Sequence, residues 1–189
     1  MVLAVLLAAG GGTRFEGSGH KLLAPLRGRP VLAHAVAALV ESGLDAVVVT
    51  GAVDVGDVVP EGISLVANPR WAQGQATSVR AGIDEARRRG HDAVVVGLGD
   101  QPFVTAEAWR RVADAAAEVA VATYDGRRGH PVRLGAAVWD LLPADGDEVG
   151  RAVMRDRPEL VREIRFAAAP GDAGPTTDID TVEDLRRWS

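Results

Sequence analysis

Residues 2–15 read VLAVLLAAGGGTRF, an apolar run that passes directly into three glycines and an arginine. A continuous apolar run bounded by turn residues is typical of a strand buried on both faces of a sheet. Glycines after such a strand let the backbone approach a phosphate closely, with N–H groups directed inward. Because doubly wound sheets bind ligands at the carboxyl ends of their strands, this stretch predicts a fold and the position of its site.

Short apolar runs alternate with amphipathic stretches along the following residues. We predict strands at 2–7, 46–50, 63–66, 93–97 and 119–123, and helices at 30–41, 77–89 and 105–117. Strand and helix in this order indicate an α/β fold with a mostly parallel sheet covered on both faces. The length of 189 residues suits a single domain over residues 1–189.

The last third of the chain departs from this simple alternation. We predict an extended segment at 126–133, short helices at 135–142 and 148–155, a strand at 160–166 and a helix at 181–188. Thr105 is a predicted helix N-cap, and Thr181 with Asp184 has the spacing of a capping pair. Gly43 and Gly90 follow two predicted helices, as C-terminal stops do.

Composition narrows the possible functions. The chain has no cysteine, which excludes disulfides and thiolate metal sites and is consistent with a cytoplasmic location. The apolar stretch at 2–9 is too short for a membrane span or a signal sequence, so we expect no membrane association. A formal net charge of −5 argues against nucleic acid as a partner, since binding a polyanion requires a basic surface.

The glycine-rich loop is followed by two cations, Arg14 and Lys21, which are suited to phosphate oxygens. A P-loop requires Gly-Lys-Ser/Thr, whereas Lys21 stands between His20 and Leu22. A dinucleotide fingerprint requires a third glycine where Phe15 stands, which argues against a dehydrogenase. The remaining alternatives are a phosphate-binding loop of another type and a flexible turn with solvated charges.

An aspartate follows the fourth predicted strand, where residues 97–102 read GLGDQP. Asp100 would stand at the same sheet edge as the glycine loop. A carboxylate facing a triphosphate is repelled unless a cation lies between them, and Mg2+ takes one or two carboxylates together with phosphate oxygens. The alternative is an aspartate that starts the turn before Pro102.

A second acidic pair, Asp178 and Asp180, lies close to the end of the sequence. On an extended segment both side chains lie on one face, with Ile179 on the other. Two carboxylates so placed repel each other unless they are solvated or bridged by a metal. They can also be residues of a helix start, where acidic side chains are favoured.

A polar loop, NPRWAQGQATS at 68–78, lies between the third strand and its helix. Polar side chains and a glycine at a helix N-terminus can contact ribose hydroxyls or a base edge. Helix capping, with Trp71 as a packing residue, accounts for the same pattern.

Taken together, LAAGGGTRF at 7–15, HKLLAPLRGRPVL at 20–32, GDQP at 99–102 and DIDTVEDL at 178–185 resemble the MobA-like NTP transferases over nearly the whole chain. Val182 replaces a proline that is usual in this family, and no ligand is lost. The resemblance implies a three-layer, doubly wound, Rossmann-like sheet of the nucleotide-diphospho-sugar transferase type. It also implies a Mg2+-dependent nucleotidyltransferase.

The same resemblance assigns roles to individual residues. Arg14, Lys21 and Asp100 would be catalytic, and a metal would be held by Asp100, Asp178 and Asp180. The nucleotide would be bound by Leu7, Ala8, Ala9, Gly10, Gly11, Gly12, Arg14, Lys21, Gly74 and Ser78.

GHPV at 129–132 resembles a segment of the branch that makes molybdenum cofactor cytidine dinucleotide. By this match His130 and Pro131 would face the acceptor, although a histidine beside a proline is also a common structural feature. The stretch 146–151 resembles another segment of that branch, with one residue inserted. CTP is then the expected donor, molybdopterin the expected acceptor, and a molybdoenzyme a possible recipient of the product.

The expected reaction is attack of an acceptor phosphate oxygen on the α-phosphorus of the NTP, with loss of pyrophosphate. A phosphate monoester is largely ionised at neutral pH, so no general base is required. Two alternatives stay open. One is a guanylyltransferase acting on molybdopterin or on a phosphorylated three-carbon acid, and the other is a regulatory module that binds a nucleotide without catalysis.

Overall fold

The computed structural model of the chain describes residues 1–167, 174 and 176–189. Its strands are β1 (Val2–Ala8), β2 (Pro25–Leu26), β3 (Arg29–Pro30), β4 (Asp45–Thr50), β5 (Ser64–Ala67), β6 (Ala93–Leu98), β7 (Val119–Tyr124), β8 (Arg127–Gly135) and β9 (Val161–Phe166). Its α-helices are α1 (Val31–Ser42), α2 (Gln75–Arg89), α3 (Ala106–Ala113), α4 (Val149–Asp156) and α5 (Val182–Trp188). Short 3-10 helices span Lys21–Leu23, Gly56–Val58, Trp71–Gln73, Ala136–Leu141 and Pro158–Leu160.

Seven strands form one sheet in the order β5-β4-β1-β6-β8-β7-β9. β1 pairs in parallel with β4 and β6, β4 with β5, and β7 with β9. Among the described strands, β8 runs antiparallel to both of its neighbours. The remaining strands, β2 and β3, form a separate antiparallel pair. The predicted mostly parallel α/β sheet is therefore confirmed.

The sheet is buried on both faces. Odd-numbered side chains of β1 pack in a core with α2 and α4, whereas its even-numbered side chains pack with α1 and α3. This alternation explains why the strand reads as a continuous apolar run. Burial of each large aliphatic side chain stabilises the fold by about 1.5–3 kcal/mol relative to exposure. The three layers fix the carboxyl ends of the central strands in space.

Several helix boundaries follow the predicted signals. Thr105 caps α3 by accepting a hydrogen bond from the backbone N of Ala108 at 3.2 Å. Gly43 and Gly90 end α1 and α2 in the left-handed conformation. Thr181 and Asp184 form the predicted capping box of α5. Among the described residues, none of the helices is both long and apolar enough to cross a bilayer.

Two α-helix boundaries differ from prediction by two or more residues, and at each of them a side chain distant in sequence binds the backbone. The predicted helix at 105–117 ends at Ala113, where Arg133 donates hydrogen bonds to the carbonyls of Ala113 and Ala117. Helix α2 begins two residues before its predicted start. The side chain of Asp147 accepts from the backbone N of Gln75 at 2.9 Å and supplies the cap. The predicted short helix at 135–142 is the 3-10 helix Ala136–Leu141.

Candidate active site

A cleft of about 540 Å3 opens at the carboxyl ends of β1 and β6. Its walls are the glycine loop, the start of α2 and the segment before α5. The predicted nucleotide and metal residues that line it are Leu7, Ala8, Ala9, Gly10, Gly11, Gly12, Arg14, Lys21, Gly74, Ser78, Asp100, Asp178 and Asp180. His130 and Pro131 are not among the described residues that line this cleft.

The glycine loop is held from several sides. His20 Nε2 donates to the carbonyl of Gly10 at 2.9 Å, and His20 Nδ1 accepts from the backbone N of Leu22 at 3.3 Å. Acceptance at Nδ1 requires the neutral ring, and burial lowers the pKa of His20 in agreement with this. On the other side, a Cβ added to Gly11 would lie 2.9 Å from the Trp71 ring. The loop is therefore held by Trp71, which packs as one of the two interpretations of the 68–78 loop expected, and by His20, whose supporting role the sequence reasoning missed.

Lys21 lies between two of the predicted metal ligands. Its Nζ donates to Asp100 Oδ2 at 2.6 Å and to Asp180 Oδ1 at 2.7 Å. The exposed fractions of these side chains are 12% for Lys21, 18% for Asp100 and 19% for Asp180. Burial acts to lower the pKa of Lys21, but the two carboxylates outweigh it and raise the pKa above its ordinary value. Lys21 is thus a protonated cation that lies between Asp100 and Asp180.

Arg14 extends this cluster toward solvent. Its Nη2 lies 3.0 Å from Asp180 Oδ2, and 76% of the Arg14 side chain is exposed. An exposed ion pair of this kind contributes little to stability, so the guanidinium can turn to another anion at small cost. Arg14 is therefore well placed to contact a phosphate that enters the cleft.

The segment before α5 is bound to the end of β6 through its backbone. Ile179 N donates to the carbonyl of Asp100 at 2.9 Å, and the Ile179 side chain is fully buried with Leu26 and Val31. Its neighbours Asp178 and Asp180 consequently lie on the cleft side. This alternation brings together acidic residues that are far apart in sequence.

Asp178 has a separate partner. Gln101 is buried, and its Nε2 donates to Asp178 Oδ1 at 2.7 Å. Asp178 borders the cleft, but partial burial raises the pKa of its carboxyl group. The charges of Asp100 and Asp180 raise this pKa further, whereas the hydrogen bond from Gln101 lowers it. Gln101 was overlooked as a positioning residue, although it stands beside Asp100 in the quoted GDQP motif.

The acidic cluster contains the type of oxygen ligand expected for magnesium. Carboxylate oxygens are the ligands that Mg2+ prefers, and Asp100 and Asp180 approach the same nitrogen closely. In the described part of the chain, however, no three His, Cys, Asp or Glu side chains are arranged to hold a metal ion. The ammonium of Lys21 stands between the two carboxylates. Asp100 and Asp180 would be available to Mg2+ only if that ammonium moved away.

The start of α2 forms the opposite wall. Asn68 Nδ2 donates to Thr77 Oγ1 and Ser78 Oγ, each at 2.9 Å. Gly74 has a φ of +108°, and a Cβ there would meet the backbone of Gly146 at 2.6 Å. Asp147, which caps α2, also lines the cleft. Sequence reasoning quoted Asp147 but gave it no role, because its partner is 72 residues away.

His130 and Pro131 lie at the same sheet end, in strand β8 beside β6. Tyr124 Oη donates to the carbonyl of His130 at 2.8 Å, and the His130–Pro131 peptide bond is cis. Burial lowers the pKa of His130 to about 4. The charge of Asp100 raises this pKa, and the charge of Arg151 lowers it. His130 is therefore neutral at neutral pH and lies near Asp100.

The profile of the MobA-like NTP transferase domain matches residues 4–162 of this sequence. The chain belongs to the MobA-like NTP transferase family. The resemblance first seen in the glycine-rich and acidic motifs is thereby confirmed, and an NTP is the substrate that membership implies.

Two relatives of this MobA-like chain differ in name and size. It is 31% identical to the nicotine blue oxidoreductase of Paenarthrobacter nicotinovorans, over 98% of this chain and 95% of the relative. It is 32% identical to the bifunctional protein GlmU of Agrobacterium fabrum, over 87% of this chain. The match covers 36% of that GlmU, so the whole activity of GlmU does not transfer to this chain.

Solved structures agree with this family and fold. Rv0371c of Mycobacterium tuberculosis superposes with a TM-score of 0.80 at 26% identity, covering 99% of this chain and 96% of the other. A nucleotidyl transferase from Methanothermobacter gives a TM-score of 0.81 at 26% identity, covering 99% and 95%. A manganese complex of Rv0371c gives 0.76 at 26% identity, covering 99% and 97%.

Proposed function

We propose that this chain transfers CMP from CTP to a phosphate group of molybdopterin in a Mg2+-dependent reaction that releases pyrophosphate. The observation that carries the proposal is the convergence of Lys21, Asp100 and Asp180 at one point beside the glycine loop. A cleft with a backbone cradle on one wall and a carboxylate cluster on the other suits a triphosphate with its metal.

The reaction is an in-line displacement. An oxygen of the acceptor phosphate forms a bond to the α-phosphorus, and the bond from that phosphorus to the bridging oxygen breaks as pyrophosphate leaves. The acceptor phosphate is largely ionised near neutral pH, so no side chain has to remove a proton. The neutral His130 is therefore free for a binding role.

This chain's own contribution is positioning and neutralisation of charge. Arg14 and Lys21 would bind the phosphates, and backbone amides of the glycine loop would orient them. Asp100, Asp178 and Asp180 would hold Mg2+, and the bound ion would supply further positive charge at the phosphate oxygens. The manganese complex of the structural neighbour Rv0371c supports a divalent cation in this fold.

The choice of CTP and molybdopterin rests on sequence. The stretches at 129–132 and 146–151 resemble the branch that makes the cytidine dinucleotide form of the molybdenum cofactor. The wall formed by Gly74 and Ser78 would bind the nucleoside, and His130 with Pro131 would face the acceptor. A cytoplasmic molybdoenzyme would then receive the product.

A pyrophosphate-release assay with CTP, GTP, ATP and UTP, each with and without molybdopterin, tests this proposal. We expect release with CTP and molybdopterin together. Release with GTP, using molybdopterin or a phosphorylated three-carbon acid, would instead identify a guanylyltransferase. Nucleotide binding with no release from any pair would indicate a regulatory module. Because one relative is named an oxidoreductase, NAD(P)H oxidation is followed in parallel, and we expect none.

A further inference from the structure

Lys21 is the one lysine in this sequence. Of the 21 Lys and Arg residues, the other 20 are arginines. Arginine presents a planar fork of donors, whereas lysine presents a compact charge at the end of a flexible stem. A compact ammonium can stand between two carboxylates and can leave by rotation of its stem. The site therefore uses the one basic side chain with those properties.

The ammonium occupies the space between two carboxylates that would hold the metal. Nζ lies within hydrogen-bond distance of Asp100 Oδ2 and Asp180 Oδ1, and Arg14 engages the second oxygen of Asp180. Asp178 Oδ1 accepts from Gln101. Each carboxylate of the cluster therefore has a protein partner, and Lys21 offsets the repulsion between Asp100 and Asp180.

We propose that Lys21 is an internal counter-ion that keeps divalent cations out of the carboxylate cluster until an NTP binds. The inference rests on the proposed function and adds an order of binding to it. A metal alone must displace a positive charge whose hydrogen-bond partners among the described residues are these two carboxylates, which is costly because the carboxylates are partly buried. A triphosphate in the same cleft offers that partner, so Lys21 can turn to phosphate and free Asp100 and Asp180.

The consequence is a positive coupling between nucleotide and metal. Nucleotide binding raises metal affinity because it removes the competing ammonium, and metal binding raises nucleotide affinity by the same factor. Without Lys21, the three carboxylates attract a divalent cation directly. The substitution Lys21→Met, which keeps an unbranched side chain one atom shorter and removes its charge, should therefore uncouple the two ligands.

The test is a titration of Mn2+ followed by electron paramagnetic resonance, with and without non-hydrolysable analogues of the four NTPs. We expect the wild type to bind Mn2+ at least about tenfold more tightly with nucleotide, a coupling of the usual allosteric size. Without nucleotide, Lys21→Met should bind Mn2+ about tenfold more tightly than the wild type does. The matched control is Arg89→Met. Arg89 also pairs with carboxylates at 19% exposure, but at the other end of α2, so its loss should leave Mn2+ binding unchanged.

Equal Mn2+ affinity of the wild type and Lys21→Met without nucleotide would overturn the inference while leaving the proposed function intact. Absence of Mn2+ and nucleotide binding from the wild type would instead overturn the proposed function, and the inference with it.

A second readout needs no substitution. Growth with 13C-lysine labels Lys21 alone, so the spectrum has one lysine Cε signal. We expect a nucleotide analogue to shift that signal in the absence of metal, and Mg2+ alone to leave it in place. An equal shift with Mg2+ alone would show that the metal displaces Lys21 unaided and would contradict the inference.

Discussion

Charged side chains gather at both ends of the parallel sheet, and the two clusters differ in how their charges are paired. At the amino ends of the strands, Glu85 accepts from Arg88 and Arg89, and Asp45 at the start of β4 accepts from Arg89 and His91. These pairs join neighbours on α2 to the adjoining strand. Arginine guanidinium groups donate hydrogen bonds to the carboxylates there, and we assign this cluster a structural role.

At the carboxyl ends, carboxylates from distant segments share one lysine. Asp100 and Asp180 are brought to Lys21 by β6 and by the segment before α5, across 79 and 159 residues respectively. The cluster borders the glycine loop and an open cleft. We infer that a single lysine beside an open cleft distinguishes a candidate site from a structural ion-pair network, whereas the number of charges does not.

The largest effect on turnover is expected from a substitution that disrupts the cluster at the carboxyl ends. Replacing Asp100 by Asn should lower turnover by about 10^3-fold, since one preorganised group contributes on this order. The fold should survive, because Asp100 follows β6 and lies outside the hydrophobic core. Pyrophosphate release and thermal unfolding measure the two properties. Normal release from Asp100→Asn would remove this residue from the mechanism.

Charge-conserving exchanges at the two ends sharpen the comparison. Lys21→Arg should lower kcat by about 10^2-fold, because a planar fork cannot stand between Asp100 and Asp180 as one nitrogen does. Arg89→Lys should leave kcat unchanged and lower the free energy of unfolding by about 0.5 kcal/mol. Steady-state kinetics and urea unfolding check both variants. Equal effects on kcat would abolish the distinction between the clusters.

A third change affects α2 at its cleft end alone. Gly74→Ala puts a methyl group against the backbone of Gly146 at a φ of +108°. The expected cost is about 2 kcal/mol of stability, together with a raised KM for the NTP. Gly90→Ala, at the other end of α2, has open space for its methyl group and should leave KM unchanged. A KM effect of the same size from both variants would contradict this account of the cleft wall.

The smallest expected effect concerns the amino-end cluster and depends on pH. Hydrogen bonds from Arg88 and then Arg89 lower the pKa of Glu85 from 4.5 to about 2. Because the folded pKa is the lower one, ionised Glu85 stabilises the fold above about pH 4.5 and loses this effect as the pH falls toward 2. Glu85→Gln should cost about 1 kcal/mol at neutral pH, a value reduced for solvent screening.

Urea unfolding of the wild type and Glu85→Gln across this pH range measures that contribution. The difference between their free energies of unfolding should shrink on acidification, while turnover stays equal at neutral pH. A difference that grows with acid would reverse the sign of the argument.

The sheet, and most of the residues that line the cleft, could be predicted from the sequence because strands and the loops that follow them are set by local pattern. Strand ends of a parallel sheet meet at one edge, so Arg14, Lys21 and Asp100 had to come close once the strands were placed. The motif at 178–185 joined them through resemblance and through the alternation around Ile179. Thr105 and Thr181 cap their helices as predicted, since caps depend on neighbours a few residues away.

What the sequence did not predict are pairings through space. Lys21 was assigned to phosphate alone, and its contacts with Asp100 and Asp180 became visible only when the segment before α5 was in position. The cap that Asp147 gives to α2, and the hydrogen bond from Gln101 to Asp178, likewise depend on side chains meeting across the fold. Local pattern carries no information about such partners.

The account is tested most directly by an anomalous difference map from crystals grown with Mn2+ and a non-hydrolysable CTP analogue. We predict a manganese peak bound by Asp100 and by at least one of Asp178 and Asp180, with Lys21 Nζ on a phosphate oxygen. A peak away from these carboxylates, or Lys21 still between Asp100 and Asp180 with the nucleotide bound, would contradict the account.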